Sequence, residues 1–154
     1  MTPSLFIFAL VLLTISFCCY KKRLHLFEIF FIWMTVWLIT HSVSSILIVN
    51  LRVLDLSQKY SYFWIHFFKR LLLYPLIIVI FFDISLRIKN ILLKIFWFIF
   101  TISLLSTFEF LFIHLGVLIN RHFIFSFALL EWTFTILLTY LSWIWYRKKR
   151  FMRI

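Results

Sequence analysis

The stretch 63-FWIHFFKRLLLYPLIIVIFFDISL-86 decides the fold. Its uncharged centre, Leu71 to Phe82, lies between Arg70 and Asp83. On its own that centre has the length of a re-entrant or interfacial piece, because crossing ~30 Å of hydrocarbon takes ~20 mostly apolar residues. Extended outward to Phe63 and inward to Leu86 it becomes a full span. Pro75 would kink it, which membrane helices tolerate. The extension also carries Lys69 and Arg70 into the bilayer.

The rest of the chain is organised around the same question. Apolar runs cover about 4–20, 26–49, 95–119 and 123–146, and each is closed by charged or amide residues. Backbone groups in lipid must hydrogen-bond within their own segment, so runs of this length are helices. The chain has 154 residues, of which 65% are hydrophobic and 14% charged. Soluble domains carry about 25% charged residues, so a soluble globule is excluded, and disorder needs low hydrophobicity. One Gly, two Pro and two Cys exclude collagen-like, linker-like and disulfide-rich classes. The expected fold is all-α: a polytopic transmembrane helical bundle of five spans, forming a single domain over 1–154. Four spans plus a re-entrant or interfacial segment at 63–86 is the alternative.

Charge orients the bundle. The formal net charge is +11. The basic residues cluster at the ends of apolar runs, as in Lys21-Lys22-Arg23 and Arg147-Lys148-Lys149-Arg150. This is the layout of cytoplasmic segments under the positive-inside rule. Five spans put Lys21, Lys22, Arg23, Arg87, Lys89, Lys94, Arg147–Arg150 and Arg153 inside. Arg52, Lys59, Lys69, Arg70 and Arg121 then lie outside or near it. The N-terminus is expected outside and the tail 147–154 in the cytoplasm of a cell membrane. Tyr60, Tyr62 and Trp64 mark the outer interface, and Trp97, Trp143, Trp145 and Tyr146 the inner one. The expected partners are anionic lipid headgroups at the basic segments, with a membrane protein or a second copy of the chain beside them. Nucleic acid is not expected, since no binding motif accompanies the charge. No Lys or Arg precedes the first run and Phe17-Cys18-Cys19 is a poor cleavage site, which predicts a retained span. Cys18 and Cys19 read as small apolar residues near an interface.

Ionisable residues inside a span are functional candidates by default. Lys69, Arg70, Glu109, Glu131 and His41 fall roughly 9–15 Å below the outer rim at ~1.5 Å per residue. They come from four spans and share one layer. Buried alone, each charge costs about 2.5–3.5 kcal/mol, so Lys69 and Arg70 are expected to face Glu109 and Glu131. An inner layer is expected at Glu28 near Arg23, and at Asp83 near Arg87 one helical turn on. Inward stripes are predicted at Glu131, Thr135, Thr139 and Ser142, at Ser106, Glu109 and Gly116, and at Glu28, Thr35 and Ser42. The outer layer reads first as structural glue. As a site it would be a proton relay through Glu109 or Glu131, or a seat for an anionic group on Lys69 and Arg70. Such an anion would be a lipid phosphate or a carboxylate. His41 and His114 would be the residues to ligate haem or a metal, but no standard ligand spacing is present. No cofactor, metal site or catalytic residue is assigned.

Asn50-Leu51-Arg52 through Phe68-Lys69-Arg70, then Tyr74-Pro75 and Asp83, resembles small multi-spanning membrane proteins of unknown function in Bacillus-type bacteria. The resemblance implies no activity, and no residue role is carried over from it. The expected role is a small interaction or accessory subunit of the bacterial cytoplasmic membrane, not an enzyme. A proton, ion or small-solute carrier and an intramembrane lipid-binding or lipid-modifying protein are the alternatives.

Overall fold

The computed structural model describes residues 3–57, 59–120 and 125–151. Six helices dominate: α1 (Pro3–Cys19), α2 (Leu26–Ser45), α3 (Tyr60–Phe68), α4 (Tyr74–Ser85), α5 (Ile91–His114) and α6 (Phe125–Phe151). A π turn at Ile46–Asn50 prolongs α2, and a second at Lys69–Leu73 welds α3 to α4. Two short strands, β1 (Leu54–Leu56) and β2 (Leu118–Asn120), complete the described chain.

Four continuous helical rods are long and apolar enough to cross a membrane: Leu26–Asn50, Tyr60–Ser85, Ile91–His114 and Phe125–Lys149. Four such rods among the described residues are compatible with an integral membrane protein. The α1 helix is apolar but shorter, at 17 residues. The stretch whose length decides the fold is a full-length rod, and of the four it is the most enclosed. About 67% of its apolar length is buried, against 28%, 22% and 39% in the other three. A rod that carries Lys69, Arg70 and Asp83 has most to gain from protein surroundings, so it takes the central place.

Local chemistry sets the ends. The α2 helix starts at a capping box: His25 Nδ1 accepts from the Phe27 amide at 3.3 Å, and Glu28 Oε2 accepts from the His25 amide at 3.0 Å. Asn90 Oδ1 caps α5 by accepting from the Leu92 amide at 3.0 Å. The same helix stops at the chain's single glycine. Gly116 has φ +73, its amide bonds to the Ile113 carbonyl at 2.9 Å, and the Val117 amide bonds back to Phe112 at 3.0 Å. This is the six-to-one closure of a Schellman turn. The expected fourth span of 95–119 therefore moves back to 91–114, and Gly116 belongs to the turn and not to a polar stripe with Glu109. Leu118–Asn120 leaves the helix and pairs antiparallel with Leu54–Leu56, in the register Leu54↔Asn120, Asp55↔Ile119 and Leu56↔Leu118. The ribbon closes over a small cluster of Leu47, Leu54, Leu118 and Ala128. Arg52, at φ +49, turns the chain from α2 into it. The expected start of the fifth span at Phe123, together with Arg121 and His122, lies outside the described residues, as does Arg153.

The main core runs through Ile32, Val36, Ile78, Val79, Leu105 and Ile136, all essentially inaccessible. The α1 helix joins it through Phe6, whose ring meets Phe112 edge-on at 5.6 Å. The stripe of Glu131, Thr135 and Thr139 on α6 is buried, as expected. The seven-residue line on α2 is not: Thr35 is half-buried and Ser42 exposed. The buried line there is Glu28, Ile32, Val36, Thr40 and Ser44. It steps by four, so it winds around the helix away from the seven-residue line. Large apolar side chains such as Phe8, Phe30, Leu38, Phe96, Leu130 and Phe134 point outward, as lipid-facing helices require.

Candidate functional site

The bundle has two chemically different ends, one carrying the β ribbon and one carrying the basic residues. The buried charge cluster lies toward the ribbon end. Its cations come from the second π turn. In an α-helix, residues five apart point about 140° away from each other at 3.6 residues per turn. In the wider π turn the Tyr74 amide reaches back to the Lys69 carbonyl, which brings Lys69 and Tyr74 toward one face. Pro75, which has no amide hydrogen and whose ring crowds the preceding turn, sits directly after it.

Glu109 on α5 is the hub. Lys69 Nζ donates to Oε1 at 3.0 Å and to Oε2 at 3.1 Å. The Tyr74 hydroxyl donates to Oε2. Arg70 Nη2 lies 4.0 Å from Oε1, and Arg70 Nη1 donates to the Thr40 carbonyl on α2. Lys69 is 0% and Glu109 1% exposed. The Lys69 ammonium also stands 4.7 Å over the Phe112 ring and 5.6 Å over that of Tyr74. A cation so enclosed is tolerable only because each of its faces meets a carboxylate or a π face. Tyr74 in turn packs edge-on against Trp132 of α6 at 4.5 Å. One cluster thus fastens α2, α4, α5 and α6.

The other expected members of the layer sit differently. Glu131 is buried and within electrostatic reach of Lys69, Arg70 and Glu109. Its Oε2, however, has no hydrogen-bond partner among the described residues, and neither has the Oγ of Ser106. His41 is exposed and stays outside the cluster, 6.0 Å from the Trp37 ring. Tyr74 and the Thr40 carbonyl were not anticipated from sequence. The signal for Tyr74 was its place one turn after Arg70, beside a proline that had to distort the helix.

At the basic end there are two locks: the expected pairing of Asp83 with Arg87 is present, and that of Glu28 with Arg23 is not. Asp83 accepts from the backbone amides of Arg23 at 2.6 Å and Leu24 at 3.0 Å, and pairs with Arg87 at 2.9 Å. Arg87 also donates to the Lys21 carbonyl. Glu28 does not pair with Arg23; its partner is Arg147 of α6, at 2.6 Å. The Arg23 guanidinium goes to the Leu86 carbonyl at 3.3 Å instead. The Glu28 carboxylate is shared, with Oε2 accepting from the His25 amide and Oε1 from Arg147.

Among the cavities that open on the bundle, two bear on the buried groups and the basic end. One of about 440 Å³ lies at the basic end among α4, α5 and α6, with Phe81, Phe98, Tyr140 and Trp143 in a mostly apolar wall and Lys94 at its edge. The other, about 220 Å³, lies between α2 and α3 and reaches Arg70. Among the described residues, no three His, Cys, Asp or Glu side chains come together as a metal-ligand set. His41 and His114 are both exposed, and Cys18 and Cys19 are free and exposed. The buried groups can fix helices against one another, hold a proton at Glu131, or present Arg70 to an anion. No family pattern, curated protein or solved structure matches the chain.

Proposed function

We propose that the chain is a five-span integral protein of a bacterial cytoplasmic membrane. Its N-terminus is outside and its C-terminus is in the cytoplasm. It works as a small accessory subunit that holds a membrane partner or a second copy of itself, and not as an enzyme. The observation that carries the reading is the closed contact among three of the buried groups and the anchoring of a fourth. Lys69, Tyr74 and Glu109 satisfy one another, and Arg70 is anchored on Thr40. A cluster closed in this way locks helices together. The α1 helix, at 17 residues, falls at the short limit of the range of about 17–25 residues for a spanning helix. The basic residues at the end opposite the ribbon support the orientation through the positive-inside rule, and they suit anionic headgroups on the cytoplasmic face.

Two measurements test this. A reporter fused before Ser4 is accessible from outside the cell; protection of that reporter removes the first span from the count. Purification in mild detergent yields a stoichiometric protein partner or a homo-oligomer. A second reading, a proton-coupled carrier, draws on Glu131, whose buried Oε2 has no hydrogen-bond partner among the described residues. In proteoliposomes the subunit reading requires Glu109→Gln and Glu131→Gln to leave proton and ion flux unchanged. A robust flux abolished by either change replaces it with the carrier.

A further inference from the structure

The cavity between α2 and α3 has a built wall. Arg70, His66, His41, Ser44 and Ser45 supply polar groups, and Trp37 and Phe67 are among its apolar walls. Arg70 and His66 are 6% and 8% exposed. Each carries a buried nitrogen, Arg70 Nε and His66 Nδ1, with no hydrogen-bond partner among the described residues. The guanidinium is otherwise fixed, with Nη1 on the Thr40 carbonyl and Nη2 turned to Glu109 at 4.0 Å. A planar fork held along one side keeps its remaining N–H at a set angle.

The field in this cavity is positive. No acidic side chain lines it, and the Glu109 carboxylate is engaged by Lys69 and Tyr74. Lys69 and Arg70 both act electrostatically on His66. Around the mouth, Val49, Phe63 and Phe67 are 68%, 47% and 40% exposed and apolar. A molecule that reaches Arg70 from this side therefore arrives through the lipid and needs an apolar portion of its own. Pockets that enclose a whole small ligand run to about 300–1,000 Å³. At about 220 Å³ this one takes a headgroup and leaves the tail outside.

The geometry points to a lateral binding site for an anionic amphiphile, with a phosphate or carboxylate held by Arg70 Nε and His66 and an acyl chain lying along Phe63 and Phe67. The inference rests on the membrane-spanning reading above, though not on the accessory role. Alkaline carbonate extraction of cell membranes checks that reading separately: release of the chain into the supernatant overturns the reading and not merely the site.

The site itself is tested with the full chain in phosphatidylcholine nanodiscs. The probes are a brominated-chain phosphatidic acid, a brominated-chain fatty acid and, as a neutral control, a brominated diacylglycerol. The readout is quenching of tryptophan fluorescence. At least one anionic probe quenches saturably at low mole fraction, the diacylglycerol does not, and the saturable part disappears when both nearby tryptophans are replaced, in Trp37→Phe/Trp64→Phe. Whichever anionic probe saturates identifies the headgroup as phosphate or carboxylate. Removing one charge-assisted hydrogen bond weakens binding roughly tenfold or more, so Arg70→Gln and His66→Phe each shift the midpoint by at least that factor. Ser45→Phe fills the mouth, leaves the Arg70 bonds in place and abolishes saturable quenching without changing the unfolding temperature. Should Arg70→Gln fail to fold, His66→Phe and Ser45→Phe decide the matter. Quenching that rises linearly and equally with all three probes overturns the proposal. So does saturable binding that survives His66→Phe and Ser45→Phe.

Discussion

Replacing Glu109 with Leu removes the hub of the buried cluster and leaves its cations in place. Lys69 loses both oxygens, at 3.0 and 3.1 Å. Its ammonium, on a residue 0% exposed, keeps only the rings of Phe112 and Tyr74, at 4.7 and 5.6 Å. Stripping one partner from a buried ion pair costs about 3–5 kcal/mol. The cation–π contacts offset about 1–2 kcal/mol of that, which leaves a net loss of about 1–4 kcal/mol. Lys69→Met should be milder, since Glu109 keeps the Tyr74 hydroxyl and the nearby Arg70. The double variant Lys69→Met/Glu109→Leu replaces a pair by apolar groups of similar size, a change often neutral or stabilising. It should be more stable than Glu109→Leu alone, with a coupling of about 1–3 kcal/mol across the cycle, while the Tyr74 hydroxyl, left without its acceptor, keeps it below Lys69→Met. The assay is reversible unfolding in mixed micelles, followed by tryptophan fluorescence. If Glu109→Leu unfolds within about 0.5 kcal/mol of the parent, or the double variant is no better than Glu109→Leu alone, the cluster is not the lock described.

Three further outcomes are expected. Asp83→Ala frees the turn between α1 and α2, because one carboxylate holds the amides of Arg23 and Leu24 as well as Arg87; the cost is about 3 kcal/mol, and those two amides should lose protection in hydrogen exchange. Arg147→Gln should cost at most about 1 kcal/mol, since the pair with Glu28 is partly open to water on the arginine side, and the difference from the parent should vanish in ~1 M salt. Gly116→Ala meets nothing within 4 Å but keeps φ +73; the left-handed backbone alone should lower stability by about 1–2 kcal/mol, read from the same unfolding curve.

Much of the helical architecture is legible in the sequence because apolar run length and flanking charge are local properties. The pairing of Asp83 with Arg87 is equally local, one turn apart on one helix. The meeting of Lys69 with Glu109 was suggested only by equal depth, a one-dimensional measure that cannot separate Glu109 from Glu131. Which carboxylate becomes the hub depends on rotation about the helix axis, and the π turn sets that rotation. Glu28 was assigned to Arg23 by proximity along the chain, whereas its partner, Arg147, comes from the last helix. The β ribbon was hidden inside the run ending at Ile119, where hydrophobicity continues past the helix. The warning was Gly116 directly after His114, the ordinary residue for a helical stop.

The central place of Tyr60–Ser85 bears on how the protein is made. Lys69 precedes Glu109 by 40 residues, so during synthesis the cations emerge before the carboxylate that neutralises them exists. Released singly, this rod would meet lipid with both cations bare. Released together with Ile91–His114, as an antiparallel hairpin joined by the short segment 86–90, it arrives with Lys69 already paired to Glu109 and Arg70 beside the same carboxylate. The insertion machinery therefore has reason to hand over these two helices as one unit, and the ribbon, whose second strand follows α5, can fasten only after that unit is in place.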